Sequence, residues 1–157
     1  MTTQLEPNHP ANAQFKELSG LQLLQKFIED PATWAPPFAT TTGITLVEIE
    51  RGRAVFEATP EQRFYNPMGT IHGGYAAFML DSACGCAVHS CLEAGQGHTT
   101  VELKVSYHKA MTKDTGPVRA EGKIITLGRR MAFTEARLTD LDGRIYASAT
   151  SSLMIFQ

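Results

Sequence analysis

Residues 66–85 read NPMGTIHGGYAAFMLDSACG. Three kinds of group in this stretch can do chemistry: the loop amide of Asn66, the His72-Gly73-Gly74 run and the carboxylate of Asp81. The apolar pattern predicts a helix from about Gly73 to about Cys91, ending before Gly95. Its first amides have no partner within the helix and carry the positive end of the macrodipole. Glycine there lets a ligand oxygen reach the N–H groups with no Cβ in the way, which is the geometry of an oxyanion hole. Asp81 is the sharper signal. An unpaired buried carboxylate costs several kcal/mol or shifts its pKa, so it is either paired or functional. The plain alternative is an Asp on the exposed stripe of an amphipathic helix, but Ala77, Leu80, Gly85 and Val88 surround it at helical spacing. Eight residues of helix put Gly73 and Asp81 about 12 Å apart. If both act on one acyl group, they come from different subunits, and two antiparallel helices side by side would form two composite sites.

The elements that must position these groups follow from periodicity. Ser19 suits the N-cap of a helix over Leu21–Ile28, whose Leu21, Leu24, Phe27 and Ile28 share one face, and Pro31 ends it. APPF (35–38) reads as a connector. ITLVEI (44–49) and AVFEA (54–58) read as strands joined by ERGR, and residues 59–71 as a long irregular loop. After the central helix the period becomes two: Thr100–Tyr107, Val118–Leu127, Ala132–Leu138 and Ile145–Ile155, separated by TKDTG, GRR and DLDG. In the first of these, Lys104 shares a face with Thr100 and Glu102, opposite Val101, Leu103 and Val105. One long helix with about six antiparallel strands is an α+β plan, and a helix apolar on most of its circumference requires the sheet to curl round it. Residues 1–14 are expected to be flexible and 15–157 to form a single domain.

Composition excludes several classes. The chain has 157 residues, is 43% hydrophobic and carries a net charge of −2. That predicts one domain with a real core and no nucleic-acid or anionic-membrane surface. No apolar run approaches the roughly 20 residues that span a bilayer. Met1–Asn12 is polar and lacks the apolar core of a secretory signal. Cys84, Cys86 and Cys91, odd in number and crowded together, make no disulfide framework. The expectation is a reducing, cytoplasmic location.

With these residues in view, YNPMGTIHGGYAAFMLDSACG resembles the hotdog-fold acyl-CoA thioesterases of the PaaI type, the phenylacetic acid degradation thioesterase-like family. The likeness continues through TTVELKVSYHKAM, GPVRAEGKIITLGRRMAFTEARL and DGRIYASATSSLMIF, over about residues 38–156. It implies a hotdog fold, a homodimer that is commonly a dimer of dimers, and hydrolysis of an acyl-CoA thioester without metal or redox cofactor, CoA being part of the substrate. Position by position, it implies that Asp81 is general base or nucleophile and that the Gly73 N–H polarises the thioester carbonyl. Asn66 would help hold water or the carbonyl, His72 would orient loop and thioester, and Thr100 would support the attacking water. Gly74 belongs to the same substrate-binding turn, and Arg129 and Arg130 are candidates for the CoA phosphates. The residue types suit the reaction, which needs an activated water or carboxylate and a stabilised oxyanion.

Other readings are weaker. Cys86 and His89, three apart, suggest a dyad, but free Cys is more often a small buried hydrophobe. Cys84 and Cys86 point in different directions on a helix, so no metal site is expected. His89, His98 and His108 have no ligand spacing and read as surface or core-edge residues. For Arg129 and Arg130 a solvated turn is the alternative. Tyr65, Tyr75, Phe78 and Met79 line an acyl pocket or simply pack, and the N-terminal helix covers a sheet edge or lids the acyl channel. Two rival functions are a hotdog hydratase or dehydratase and a non-catalytic acyl-CoA binding domain. The second is disfavoured by the absence of a basic recognition helix and by the presence of Asp81 and Asn66. An aryl-acyl or medium-chain acyl group is expected on CoA.

Overall fold

The computed structural model of the chain describes residues 10–157. Of the stretch expected to be flexible, Pro10–Gln14 forms a short helix, α1, and the rest lies outside the described residues. Helix α2, Gly20–Glu29, starts on a capping box: Ser19 Oγ accepts from the Gln22 N–H, and Gln22 Oε1 accepts from the Ser19 N–H. The connector expected near APPF is instead two short helices, α3 (Pro31–Trp34) and α4 (Pro37–Thr42). Prolines occupy the first turn of each, where a missing N–H costs nothing, and Asp30 caps α3 through the Thr33 N–H. The same prolines that break one helix therefore start the next two. Gly43 ends α4 in the left-handed conformation, at φ 75°.

The strands are β1 (Thr45–Glu50), β2 (Arg53–Ala58), β3 (Gly97–Tyr107), β4 (Val118–Leu127), β5 (Met131–Asp140) and β6 (Ile145–Phe156). They form one antiparallel sheet in the order β1-β2-β4-β5-β6-β3. It wraps α5, Gly73–His89, which touches β2 to β6 and buries Tyr75, Ala76, Met79, Leu80, Ala83, Cys84, Ala87 and Val88. This is the α+β hotdog plan, one long helix inside a curled sheet. Small residues set how close the layers come. A Cβ on Gly122 of β4 would stand 2.4 Å from the Ala83 carbonyl, so only glycine lets β4 pass over the helix at this point. Ser90, just past α5, donates to the Ala87 carbonyl and accepts from the Gly52 N–H, tying the β1–β2 turn to the helix end.

Strand β3 departs from strict alternation. Its pairing with β6 shifts between Thr100 and Glu102, so Val101 is an extra residue and is 61% exposed. Before this bulge His98 and Thr100 face the helix; after it Leu103 and Val105 do, packed against the core. The parity expected from sequence, which grouped Val101 with Leu103 and Val105, fails because one inserted residue reverses the faces of everything on one side of it.

The two sheet edges, β1 and β3, flank the one stripe of α5 that the sheet does not cover. Helices α2 to α4 roof that gap.

Candidate active site

Asp81 sits on the uncovered stripe of α5, half-buried, and its Oδ1 accepts a hydrogen bond of 2.9 Å from Thr100 Oγ1. The bulge at Val101 is what turns Thr100 inward to make that bond. The pair opens on a cavity of about 690 Å³ under the α2–α4 roof. Its walls are mostly apolar: Leu23, Leu24 and Phe27 of α2, Phe38 and Ala39 of α4, Leu46 of β1 and Phe56 of β2. Asp81, Gly85 and His89, spaced four apart, form its floor, and His98 and Thr100 form one side. A half-buried carboxylate anchored by a hydroxyl, at the end of a large apolar cavity, is arranged to act on the polar end of a mostly apolar ligand.

The start of α5 is a second, separate arrangement. His72 is the N-cap, with extended backbone, and its Nδ1 accepts from the Gly74 N–H at 2.9 Å. The proton of the neutral ring is thereby placed on Nε2. The Gly74 N–H is thus consumed by the cap. Among the hydrogen bonds of the described residues none uses the Gly73 N–H, which is left as the donor of the first turn. Tyr107 lies against Gly73: its hydroxyl donates to the Gly73 carbonyl at 3.2 Å, and a Cβ on Gly73 would meet its ring at 3.2 Å. Gly73 and His72 line a smaller pocket of about 280 Å³ with Tyr107, His108 and Lys109, distinct from the cavity that holds Asp81.

Asn66 shapes the loop that delivers this turn. Its Oδ1 accepts from the Met68 and Thr70 N–H groups and its Nδ2 donates to Thr70 Oγ1. A Tyr65–Ile71 bridge closes the loop, and the His72 N–H donates to the Phe64 carbonyl. The fold therefore brings together Asp81 with Thr100, and Asn66, His72, Gly73 and Gly74 with one another. It does not bring the two sets together within one chain. Arg129 and Arg130 lie exposed at the β4–β5 turn, where the Arg130 carbonyl accepts from the Ile155 N–H.

The cysteines behave as packing. Burial pushes the Cys84 thiol up to about 11 and the Cys86 thiol up to about 12, so neither supplies thiolate near neutrality. Tyr75 and Met79 are core residues, and Tyr65, Tyr75 and Phe78 border a different pocket from that of Asp81. The residues that sequence reasoning missed are the roof, of which it offered only the N-terminal helix as a lid, and the histidines. His89 and His98 meet edge to face, with ring centroids 5.6 Å apart, in the Asp81 cavity. Burial, reinforced by His98, pushes His89 down to about 4, and burial lowers His98 as well, so both rings are neutral. Among the described residues no group of three or more His, Cys, Asp or Glu side chains is placed to hold a metal ion, and no helix is long and apolar enough to cross a membrane.

Comparison with known proteins converges on one group. The family model of the thioesterase superfamily matches residues 68–147, from the loop before α5 to the start of β6. A Saccharolobus solfataricus protein named as an esterase is 31% identical over 114 residues, covering 73% of this chain and 79% of that one. The 1,4-dihydroxy-2-naphthoyl-CoA hydrolase of Listeria monocytogenes is 25% identical over 100 residues, 64% of this chain and 80% of its own. Among solved structures, a phenylacetic acid degradation-related protein of Ralstonia eutropha superposes with a TM-score of 0.75 at 25% identity, covering 84% of this chain and 98% of that one.

Proposed function

The chain belongs to the thioesterase superfamily and is a thioester hydrolase, and we propose that it cleaves an aryl-acyl or medium-chain acyl-CoA at sites shared between two subunits. The observation that carries the second half of this reading is the separation within α5. Asp81 and the free Gly73 N–H are about 12 Å apart along the helix and open on different cavities. Each set offers one half of the reaction: Asp81 a carboxylate, and Gly73 a free backbone donor. A two-fold pairing of β3 edges would supply each from the other chain. β3 is an 11-residue edge strand with Val101 exposed on it.

In such a site the thioester carbonyl oxygen accepts from the Gly73 N–H of one subunit. Asp81 of the other takes a proton from water, the water oxygen attacks the carbonyl carbon, and the negative charge moves to the carbonyl oxygen. Collapse breaks the C–S bond, and the thiolate of CoA takes up the proton. The alternative course, attack by the Asp81 carboxylate itself to give an anhydride that water then opens, uses the same geometry. Thr100 holds Asp81 in aim in either case. His72 and Asn66 act through the backbone they fix, keeping the first turn of α5 open to a ligand. Arg129 and Arg130, solvated and forked, suit the CoA phosphates. The Listeria relative, a hydrolase of an aromatic acyl-CoA, and the apolar walls of the Asp81 cavity support the acyl classes named.

The test is CoA release from a panel of aromatic and aliphatic acyl-CoAs, with an enzyme blank because the chain carries free cysteines. Turnover by the wild type and its loss in a folded Asp81→Asn variant are expected. Failure of the wild type on every thioester would remove the reading.

A further inference from the structure

Strand β3 sets one side chain against each half of the site. Thr100 bonds Asp81, and Tyr107, the last residue of the strand, covers the first turn of α5. The two are seven apart, and on a regular strand residues an odd number apart face opposite sides of the sheet. The extra residue at Val101 lies between them and reverses the parity, so both face α5. A strand of strict alternation can serve Asp81 or Gly73, but not both. At Gly73 the contact is with backbone. The Tyr107 hydroxyl donates to the Gly73 carbonyl at 3.2 Å, and a Cβ on Gly73 would stand 3.2 Å from Tyr107 Cε1 and 3.4 Å from its Oη. His72 Nδ1 accepts from the Gly74 N–H at 2.9 Å. That carbonyl and that N–H belong to one planar peptide group, which side chains therefore hold at both ends. It needs holding, because two successive glycines have the widest backbone freedom and helix ends fray. Tyr107 is 58% exposed, so burial in the core is not what keeps its ring there.

We propose that Tyr107 is a positioning residue for the hydrolysis: it fixes the Gly73–Gly74 peptide and through it aims the free Gly73 N–H at the thioester oxygen. This rests on the acyl-CoA hydrolase reading, in which that N–H is the oxyanion donor. The Gly73 N–H lies across a single Cα from the clamped peptide, so its direction follows from the two Gly73 dihedrals that the clamp sets. The neighbouring peptide is tied as well, since the His72 carbonyl accepts from the Tyr75 N–H at 2.9 Å. Hydrogen bonds weaken as the donor turns away from the acceptor, and an oxyanion donor does most of its work in the transition state. A loosened Gly73 N–H therefore costs kcat rather than KM. One edge strand thus steadies both reacting groups, the carboxylate through Thr100 and the backbone donor through Tyr107.

The test measures kcat and KM separately, on the acyl-CoA of the panel that turns over fastest, for the wild type, Tyr107→Phe, Gly73→Pro and the double variant, with melting curves as fold controls. Tyr107→Phe keeps the ring and removes the hydroxyl. It should lower kcat about threefold to tenfold and leave KM unchanged. In the Gly73→Pro chain the same substitution should have no further effect, because the N–H it would aim is gone. A side chain that only lines the substrate path would raise KM, and one that only steadies the fold would lower kcat by the same factor in both chains. Unchanged kcat in Tyr107→Phe, a loss carried by KM, or an equal loss in the Gly73→Pro chain overturns the inference and leaves the hydrolase intact. Full activity of Gly73→Pro overturns the donor role of Gly73 and the inference with it. Absence of wild-type turnover on every thioester overturns the hydrolase reading itself.

Discussion

The first turn of α5 and its middle turns are built on opposite terms. At the start, His72, Gly73 and Gly74 are exposed or half-exposed, and the groups on offer are backbone ones: the His72 cap takes the Gly74 N–H and leaves the Gly73 N–H free. About two turns on, Asp81 lies under a roof of three helices, held by one side-chain hydroxyl, and the neighbouring positions on its stripe are Gly85, Cys86 and His89. One end is a backbone donor, and the other is a half-buried carboxylate. A single rigid helix holds them about 12 Å apart, so rigidity that positions each group also forbids their meeting within one chain. On the shared-site proposal, one buried helix serves two half-sites at once, and symmetry rather than loop motion completes them.

Breaking the sheltered half should cost most. Asp81→Asn keeps the volume and the Thr100 contact but removes the base or nucleophile, and kcat should fall about a thousandfold with little change in melting temperature, as read by CoA release and calorimetry. Breaking the exposed half should cost about a hundredfold. Gly73→Pro is the cleanest way, because it deletes the free N–H at the first helical position, where proline is at home. His72 already has φ −59° and ψ 138°, which suits the residue before a proline, although the Tyr107 ring must give by a few tenths of an ångström.

The sheltered half should also show itself in acid. His89 titrates near 6.5 when unfolded and near 4 when folded. As pH falls from 6.5 towards 4 the unfolded chain takes up this proton and the folded one does not, so stability drops with acid, by about 2–3 kcal/mol. Melting curves between pH 7 and 4 should flatten in His89→Phe. The smallest of these effects belongs to Thr100→Val, which leaves Asp81 in place without its hydrogen bond and should lower kcat about tenfold.

Much of this was legible in the residues. The apolar run after HGG marked the central helix, period-two alternation marked four later strands, and the spacing placed Gly73 and Asp81 about 12 Å apart on that helix. What escaped has physical causes. The Val101 bulge, which turns Thr100 inward, adds a residue without any turn residue to mark it. The α3–α4 roof hides behind prolines that read equally as breakers and as first-turn residues. His89 and His98 lie nine apart in sequence on a helix and a strand, and only the tertiary fold faces them. The capture of the Gly74 N–H by His72 leaves a composition identical to that of two free donors.

The most direct test of the shared site is complementation. Asp81→Asn and Gly73→Pro chains, given different tags, are co-expressed, and assemblies carrying both tags are isolated. If each site takes Asp81 from one chain and Gly73 from the other, one site in a mixed dimer has both groups intact. Turnover should then return to roughly half the wild-type value per dimer, although each parent is nearly inactive. A mixed dimer as inactive as its parents would place both groups of a site in one chain and contradict the account.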